Sequence, residues 1–249
     1  MIQKLTIAIL LTTITISSAQ KKIWFDVGVK GGYGVTLITN GNIWNDRNIG
    51  NEITPGYCYG GKIGINFNES HEVTIDIMSS SLNQLYKIKT DSLSYNKTVA
   101  ISTLNFLLLY RHHAANGSYA EIGPQLSLIQ KTSEKNSIAT AFTASPKNYY
   151  TSNYYAAVFG FGGSILGTDN ATLLLGCRFT YALSDILTSA GGKSTNTSYP
   201  FNDGTYITTF KSYKPLKPLT AMLVMEFNFD LGYFSKSSCK RGRHKFLLF

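Results

Sequence analysis

The sequence predicts an all-β protein in which eight antiparallel strands close into an up-and-down barrel that spans a membrane. Long segments alternate strictly between apolar residues and polar or small ones, which is the period of a strand with two different faces. The connections between these segments are alternately short and long, as in outer-membrane barrels. Only 15% of the 249 residues are charged and 13% are aromatic, and aromatics collect near strand ends, as in membrane girdles.

The alternation is clearest in TAMLVMEFNFDLGYF at 220–234. We expect it to form the last strand and the assembly signal of the barrel. The apolar face of this predicted signal carries Phe227, Phe229, Leu231 and Tyr233. The pattern recurs seven times, and we predict the other strands at residues 23–38, 56–67, 71–86, 98–112, 118–130, 153–166 and 172–186.

The predicted connections fall into two classes. Because successive strands are antiparallel, all short connections meet at one end of the barrel and all long ones at the other, which predicts short periplasmic turns and longer extracellular loops. A soluble β-sandwich is the alternative, but its strands usually run about 5–6 residues, and those predicted here are longer. The short connections are at 68–70, 114–117 and 168–171, and the long ones at 40–55, 87–97, 131–152 and 187–217.

Three regions follow one another along the chain. Residues 1–19 are typical of a secretory signal peptide, with Lys4 before an apolar stretch too short to span a bilayer. The alternative interpretation of this stretch is a buried N-terminal strand. Residues 20–234 form the predicted barrel, and residues 235–249 form a basic tail.

Charged residues are predicted to fill the barrel interior. A lumen enclosed by eight strands is just wide enough for side chains to fill it. Since a buried charge is costly unless it is paired, we expect an internal network of ion pairs and hydrogen bonds that plugs the lumen. The alternative is a narrow polar pore. The inward-facing charged residues are predicted to be Asp26, Lys30, Lys62, Glu72, Asp76, Arg111, Glu121, Arg178, Glu226 and Asp230.

The sequence predicts no enzyme and no metal or cofactor site. Its mature-chain histidines fall at short turns, at strand ends or in the tail, so no nucleophile and base are expected to converge. No phosphate-loop or metal-ligand spacing appears, and three cysteines without such spacing predict free thiols. The formal net charge is +9, but basic residues concentrated at the termini of an exported chain argue against nucleic-acid binding.

Four stretches carry a family resemblance. They are LNFLLLYR at 104–111, EIGPQLSLI at 121–129, VFGFGGSI at 158–165 and RFTYALSDI at 178–186. Their order and spacing resemble the PorT-like family of small outer-membrane barrels of the Bacteroidetes. Asn105, Phe106 and Ala182 stand where the family pattern has an acid, an isoleucine and a glycine. The resemblance implies the barrel fold and, because members of this family include an accessory barrel of type IX protein secretion, a role of that kind.

The basic tail predicts a partner. With eight strands both termini of the chain lie in the periplasm, so we expect the tail to dock on another envelope protein there, with the barrel wall as a second contact. The alternative is a disordered tail resting on anionic lipid. A surface-binding barrel and a narrow channel are the other functions we consider, with outer-membrane lipid as the surrounding partner. The docking residues are predicted to be Lys240, Arg241, Arg243, Lys245, Phe246 and Phe249.

Overall fold

A computed structural model describes most of the predicted barrel. The predicted signal peptide at 1–19 and the predicted tail at 235–249, with its six docking residues, lie outside the described part of the chain. The described residues are 23–68, 70–89, 94–137, 148–168, 170–191 and 212–233.

The described chain is built almost entirely from strands. Its regular helical pieces are a four-residue helix, α1 (Gly41–Trp44), and a single 3-10 turn at Ser189–Gly191. Within the described residues, no helix has the length and hydropathy that a membrane crossing requires. The strands are β1 (Ile23–Thr39), β2 (Ile49–Glu52), β3 (Thr54–Phe67), β4 (His71–Lys89), β5 (Ser94–His113), β6 (Ser118–Asn136), β7 (Asn153–Gly167), β8 (Ala171–Ala182) and β9 (Lys217–Tyr233).

Eight of these strands close into a ring, which confirms the predicted fold class. Each pairs antiparallel with its neighbours in the order β1, β3, β4, β5, β6, β7, β8, β9, and β9 returns to β1. The closing pair runs from Trp24–Tyr233 to Thr39–Lys217. Closure satisfies the backbone donors and acceptors that an open edge would leave unpaired, which lipid does not tolerate.

The two ends of the barrel differ. At the turn end, tight connections join β3 to β4, β5 to β6 and β7 to β8. At the loop end, residues 40–53 add α1 and the short strand β2, which pairs with β4. The prediction of a loop at 87–97 was wrong for most of that range, because β4 and β5 remain paired as far as Lys89–Ser94. Similarly, β6 continues to Asn136 rather than ending at 130, whereas β8 stops at Ala182 rather than 186.

The polarity of the wall reverses along the strands. In the turn half of β4, Ile75 and Ile77 face outward and are about half exposed, whereas Asp76 faces inward and is buried. In the loop half of β4, Tyr86 is buried inside and Lys87 is exposed outside. The turn half thus has a membrane-facing apolar belt around a polar lumen, and the loop half has a polar wall around an apolar core.

A β-bulge in β6 lies near the level at which the polarity of the wall reverses, and it changes which residues of β6 face inward. Ser102 of β5 pairs with Lys131, and the next residue, Thr103, pairs with Ile129, so Gln130 is an extra residue in the strand. An extra residue shifts the alternation by one position. Before the bulge the odd-numbered residues Ser127 and Ile129 face inward; after it Lys131 faces outward. This change of face follows from the bulge and not from the alternation itself.

Candidate functional site

The lumen of the turn half holds a network of charged side chains. Alternate residues of a strand point to the same face, so each strand that lines the lumen contributes charges at successive inward positions. Gly64 leaves room for this packing, since a Cβ at that position would overlap the carboxylates of Asp26 and Glu72. The structure brings together nine of the ten predicted residues, which we call the ionic network: Asp26, Lys30, Lys62, Glu72, Asp76, Arg111, Glu121, Arg178 and Glu226.

Arg111 of β5 lies at the centre of the ionic network. Its side chain is fully buried and contacts three carboxylates. The Nη2 atom lies 2.7 Å from Glu226 Oε2 and 2.9 Å from Glu121 Oε2, and Nη1 lies 3.3 Å from Glu72 Oε2. The Arg111 guanidinium also lies over the Tyr119 ring, 4.3 Å from its centroid. A planar group with five donors suits this position, because Nη1 and Nη2 donate in parallel to the two oxygens of Glu226, at 2.8 and 2.7 Å, which a lysine ammonium cannot reproduce.

The other three cations complete the ionic network. Lys30 Nζ lies 2.7 Å from Asp76 Oδ2 and 3.0 Å from Glu226 Oε2. Arg178 joins Asp76, at 3.1 Å, to Glu121, at 2.7 Å. Four cations thus balance five carboxylates, and the formal net charge is −1. Such an arrangement offsets desolvation only as a unit, since every member except Asp26, which contacts Lys62, contacts at least two opposite charges. The fourth cation is Lys62, which contacts Asp26, Glu72 and Glu226.

Asp230 lies outside the ionic network, contrary to the prediction. It is only partly buried, and among the described residues it has no ion-pair partner. Asp230 pairs across the sheet with Asp26 of β1, the last pair before a register shift between Asp26 and Phe25. Lys62 already contacts Asp26 at 3.2 Å. Two carboxylates opposite each other repel, so Asp230 stays nearer to solvent at the turn end.

Three histidines lie at the turn end, as their positions in the sequence predicted. His113 reaches the ionic network, with Nε2 2.8 Å from Glu72 Oε2. His71 is exposed and shares a hydrogen bond of 2.7 Å between its Nδ1 and the hydroxyl of Tyr110. The rings of His71 and His112 are 5.2 Å apart. These contacts tie the ends of β4 and β5 together at the rim.

The loop half of the lumen is filled by an apolar core that the sequence analysis missed. The predicted interior was a network of charges, and much of the loop half was assigned to the long connections, such as 87–97 and 131–152. The signal was present, because Leu82, Tyr86 and Ile88 recur at every second or fourth position of β4. The core residues are Ile38, Ile43, Ile49, Leu82, Tyr86, Ile88, Tyr95, Val99, Ile101, Ile129, Tyr150, Tyr154, Ala156, Ala182, Ile186, Leu187 and Leu216.

A second buried ion pair lies within this apolar core. Lys97 Nζ is 3.2 Å from Glu134 Oε2, and both side chains are more than nine-tenths buried. Tyr150 donates its hydroxyl to Glu134 at 3.2 Å. The β6 bulge explains why the sequence did not reveal the pair, since Glu134 faces inward only because Gln130 shifts the alternation. The pair joins β5 and β6 within the roof of the barrel, the name we give to the part of the apolar core that closes the loop end.

A small cavity separates the ionic network from the apolar core. Its volume is about 40 Å³, which is room for ordered water and too little for an organic ligand. Its wall includes Cys58, Asn105 and Arg178. Cys58 and Cys177 are free thiols, as predicted for these two. The described interior is therefore filled from the turn end to the roof.

The described residues include no cluster of potential metal ligands. In this part of the chain no group of three or more His, Cys, Asp and Glu side chains is placed to hold a metal ion. Asp185 accepts hydrogen bonds from the backbone N–H groups of Leu187, at 3.1 Å, and Leu216, at 3.0 Å, and from the Tyr213 hydroxyl. Ser184 accepts from the Tyr155 N–H at 2.9 Å. Both side chains organise the loop end.

The predicted assembly-signal residues lie on the outer face of β9. Phe227, Phe229 and Leu231 are exposed to the surroundings of the barrel. The rings of Phe227 and Phe229 pack edge to face with centroids 4.6 Å apart. Tyr233 ends the strand, and its backbone pairs with that of Trp24. These residues belong to the membrane-facing belt, and their role in assembly stays a prediction.

Fold and interior together define the class: a small β-barrel with a membrane-facing wall and a filled lumen. No family model and no curated protein matches the chain. Outer membrane protein OprG from Pseudomonas aeruginosa is similar in structure, with 12% identity and a TM-score of 0.45, and the match covers 86% of this chain and 99% of that one. Outer membrane protein AlkL in DMPC lipid bilayers has 14% identity and a TM-score of 0.45, with 88% of this chain and 97% of that one covered. Ail of Yersinia pestis, in complex with the heparin analogue sucrose octasulfate, has 10% identity and a TM-score of 0.38, with 83% of this chain and 99% of that one covered. Likeness at this level carries no argument about function, and the fold rests on the strand pairing.

Proposed function

We propose that this chain is an outer-membrane barrel serving as a non-enzymatic accessory or structural subunit of an envelope machine, such as one for protein secretion or outer-membrane protein assembly. The observation that carries the proposal is the filled lumen. The ionic network occupies the turn half and the apolar core occupies the loop half. A barrel whose interior is occupied by its own side chains must act through its wall and its ends.

Two features of the sequence support the subunit role. The stretches at 104–111, 121–129, 158–165 and 178–186 resemble those of PorT-like barrels, which include an accessory protein of type IX secretion. The tail at 235–249 adds Lys240, Arg241, Arg243 and Lys245 before an apolar end. We propose that it lies in the periplasm, where its cations meet an acidic partner while Phe246 and Phe249 enter a groove.

Two measurements on the full-length protein test this proposal. In planar bilayers the purified barrel is expected to give no reproducible conductance, and steady unitary currents would instead identify a channel. In the native envelope, crosslinking followed by purification in mild detergent is expected to recover a defined protein complex. A chain truncated after Phe234 should remain folded but lose the partner. A matched full-length variant with Lys240 and Lys245 changed to Arg should keep it. Recovery of only the free monomer from intact cells would contradict the subunit role.

A second candidate is a surface-binding barrel that uses its loop end. Trp44 and Ile53 are large apolar side chains at this end, and each is 65% exposed. Aromatic side chains that stand exposed on loops are a common feature of binding surfaces. This function predicts that changing Trp44 and Ile53 to Ser abolishes attachment of cells to a surface or ligand, whereas truncation after Phe234 leaves attachment intact. The subunit role predicts instead that truncation after Phe234 loses the co-purified partner, whereas the Trp44, Ile53 variant keeps it.

A further inference from the structure

The outer wall of the loop half presents a cluster of lysines that nothing in the proposed function uses. We call it the basic face; it comprises the outward positions of β4, β5 and β6 beyond the apolar belt. Lys87 and Lys89 come from β4, and Lys131 and Lys135 come from β6. All four are exposed. Lys131 and Lys135 face outward because of the Gln130 bulge, which simultaneously turns Glu134 inward to pair with Lys97.

The four lysines lie within reach of one ligand surface. Lys135 pairs across the sheet with Thr98 of β5, whose partner on β4 is Leu85, two residues from Lys87. With strands about 4.8 Å apart and a rise of about 3.3 Å per residue, the backbones of Lys135 and Lys87 are roughly 12 Å apart. Lysine side chains span such a gap when an anion lies between them. Lys131 lies four residues, about 13 Å, along β6 from Lys135.

Few negative charges offset the basic face. Within the described ranges of β2, β4, β5 and β6, the outward carboxylate beside it is Glu52, which contacts Lys87 at 3.0 Å with both side chains about half exposed. The remaining outward positions are neutral and mostly polar, such as Asn96 and Ser133. The face therefore keeps three cations in excess, which is the charge complement of a polyanionic surface.

The height of the basic face selects the partner. The last large outward apolar residues of β5 and β6 are Leu104 and Leu128, which form a pair, and Lys131 follows one step beyond the bulge. Along a strand tilted by about 40°, that step rises roughly 5–8 Å above the belt. The headgroup layer of a bilayer extends about 5–8 Å beyond its hydrocarbon core. Lys131 is thus level with the headgroups, and Lys135, four residues further along the tilted strand, stands about 10 Å higher. Lys87 also lies beyond the level of Lys131, so the long side chains of both residues must bend toward the membrane to meet the phosphates.

We propose that the basic face binds phosphate-bearing anionic headgroups of the lipids in the leaflet that meets the loop end. The lysines act as point charges on the phosphate oxygens, and the apolar belt directly below receives the acyl chains of the same molecules. This proposal requires that the barrel spans a membrane, but it is independent of the subunit role and of which leaflet adjoins the loop end. A lysine near an anionic lipid surface contributes about fivefold in affinity.

The test uses the full-length barrel in neutral detergent with phosphatidylglycerol, and native mass spectrometry counts the bound lipids. The Lys131→Gln, Lys135→Gln variant is expected to lose on the order of 25-fold in affinity for this lipid. The matched control is Arg47→Gln, Lys214→Gln, which also removes two exposed loop-end cations but none from the basic face. It should bind as the wild type does.

Three further arms identify the ligand. Phosphatidylcholine, which has no net charge, should bind the wild type at least tenfold more weakly than phosphatidylglycerol. Inorganic phosphate at the same concentration should leave phosphatidylglycerol bound. Soluble dextran sulfate should not outcompete the lipid. The proposal is overturned if the Lys131, Lys135 variant binds like the wild type, if the two lipids bind equally, or if phosphate or dextran sulfate displaces the lipid.

Discussion

Replacing Arg111 by Met tests whether the ionic network holds the barrel together. Arg111 is fully buried and makes contacts of 2.7–3.3 Å with Glu72, Glu121 and Glu226. Methionine keeps much of the side-chain length but removes the charge, leaving three cations against five carboxylates and a formal net charge of −2. Breaking a buried ion pair by removing one partner costs roughly 3–5 kcal/mol. That is a large share of a typical stability of about 5–15 kcal/mol.

The assay is reversible urea unfolding of the barrel in lipid vesicles, followed by tryptophan fluorescence. The control is Lys87→Met, because the Lys87–Glu52 contact of 3.0 Å is about half exposed and should contribute less than about 1 kcal/mol. Adding Glu226→Gln to Arg111→Met restores the net charge to −1, so the double variant should be less destabilised than the two single losses combined. If Arg111→Met loses no more stability than Lys87→Met, the ionic network does not stabilise the fold.

Three further predictions concern other parts of the barrel. Gly60→Ala should block folding, because the new Cβ would overlap the Ile77 carbonyl oxygen of the neighbouring strand, whereas Gly31→Ala, with open space around it, should fold normally. On gels, the folded Gly31→Ala barrel should change its mobility on heating and the Gly60→Ala chain should not. Lys97→Met should destabilise the roof by removing the buried partner of Glu134, and faster amide exchange confined to the loop half would show this; uniform or unchanged exchange would contradict it. Burial and the hydrogen bond to Asp185 raise the pKa of Tyr213, so the stabilisation from the neutral Tyr213 hydroxyl should be complete below about pH 10 and should be lost as pH rises further. Tyr213→Phe should therefore reduce the loss of stability above about pH 10 in a curve of unfolding free energy against pH, and an unchanged loss would refute the assignment.

The ionic network shows how far alternation alone can reach. Asp76 and Arg111 could be assigned to the lumen because every second residue of a strand faces the same side and charges are excluded from lipid. Their mutual contacts could not be assigned, because which strands meet across the lumen depends on the stagger of the closed ring. Asp230 shows the limit: alternation places it on the inward face, but only the closed sheet shows that it pairs opposite Asp26, where a second carboxylate repels it.

The loop half was harder to predict because its strands face their apolar residues inward and their polar residues outward, the reverse of the strands in the turn half. In SSSLNQLYKIK at 79–89, Leu82, Tyr86 and Ile88 occupy inward positions and are buried, whereas the two lysines face outward. If apolar residues are expected to face lipid, this segment resembles the end of a strand followed by a loop, which is why the strand was predicted to end at 86. The bulge at Gln130 adds a second change of face that no periodicity contains.

The sequence by itself determined the number of strands in the ring, the alternation of connections and the identity of nine charged residues that meet in the lumen, because these follow from a period of two and from the cost of exposing charge to lipid. The tertiary structure decided that the loop half closes over an apolar core, that Lys97 and Glu134 pair within it, and that four lysines gather on one outer face. These features depend on register, bulges and the height of each residue relative to the membrane, which exist only once the strands have closed into a barrel.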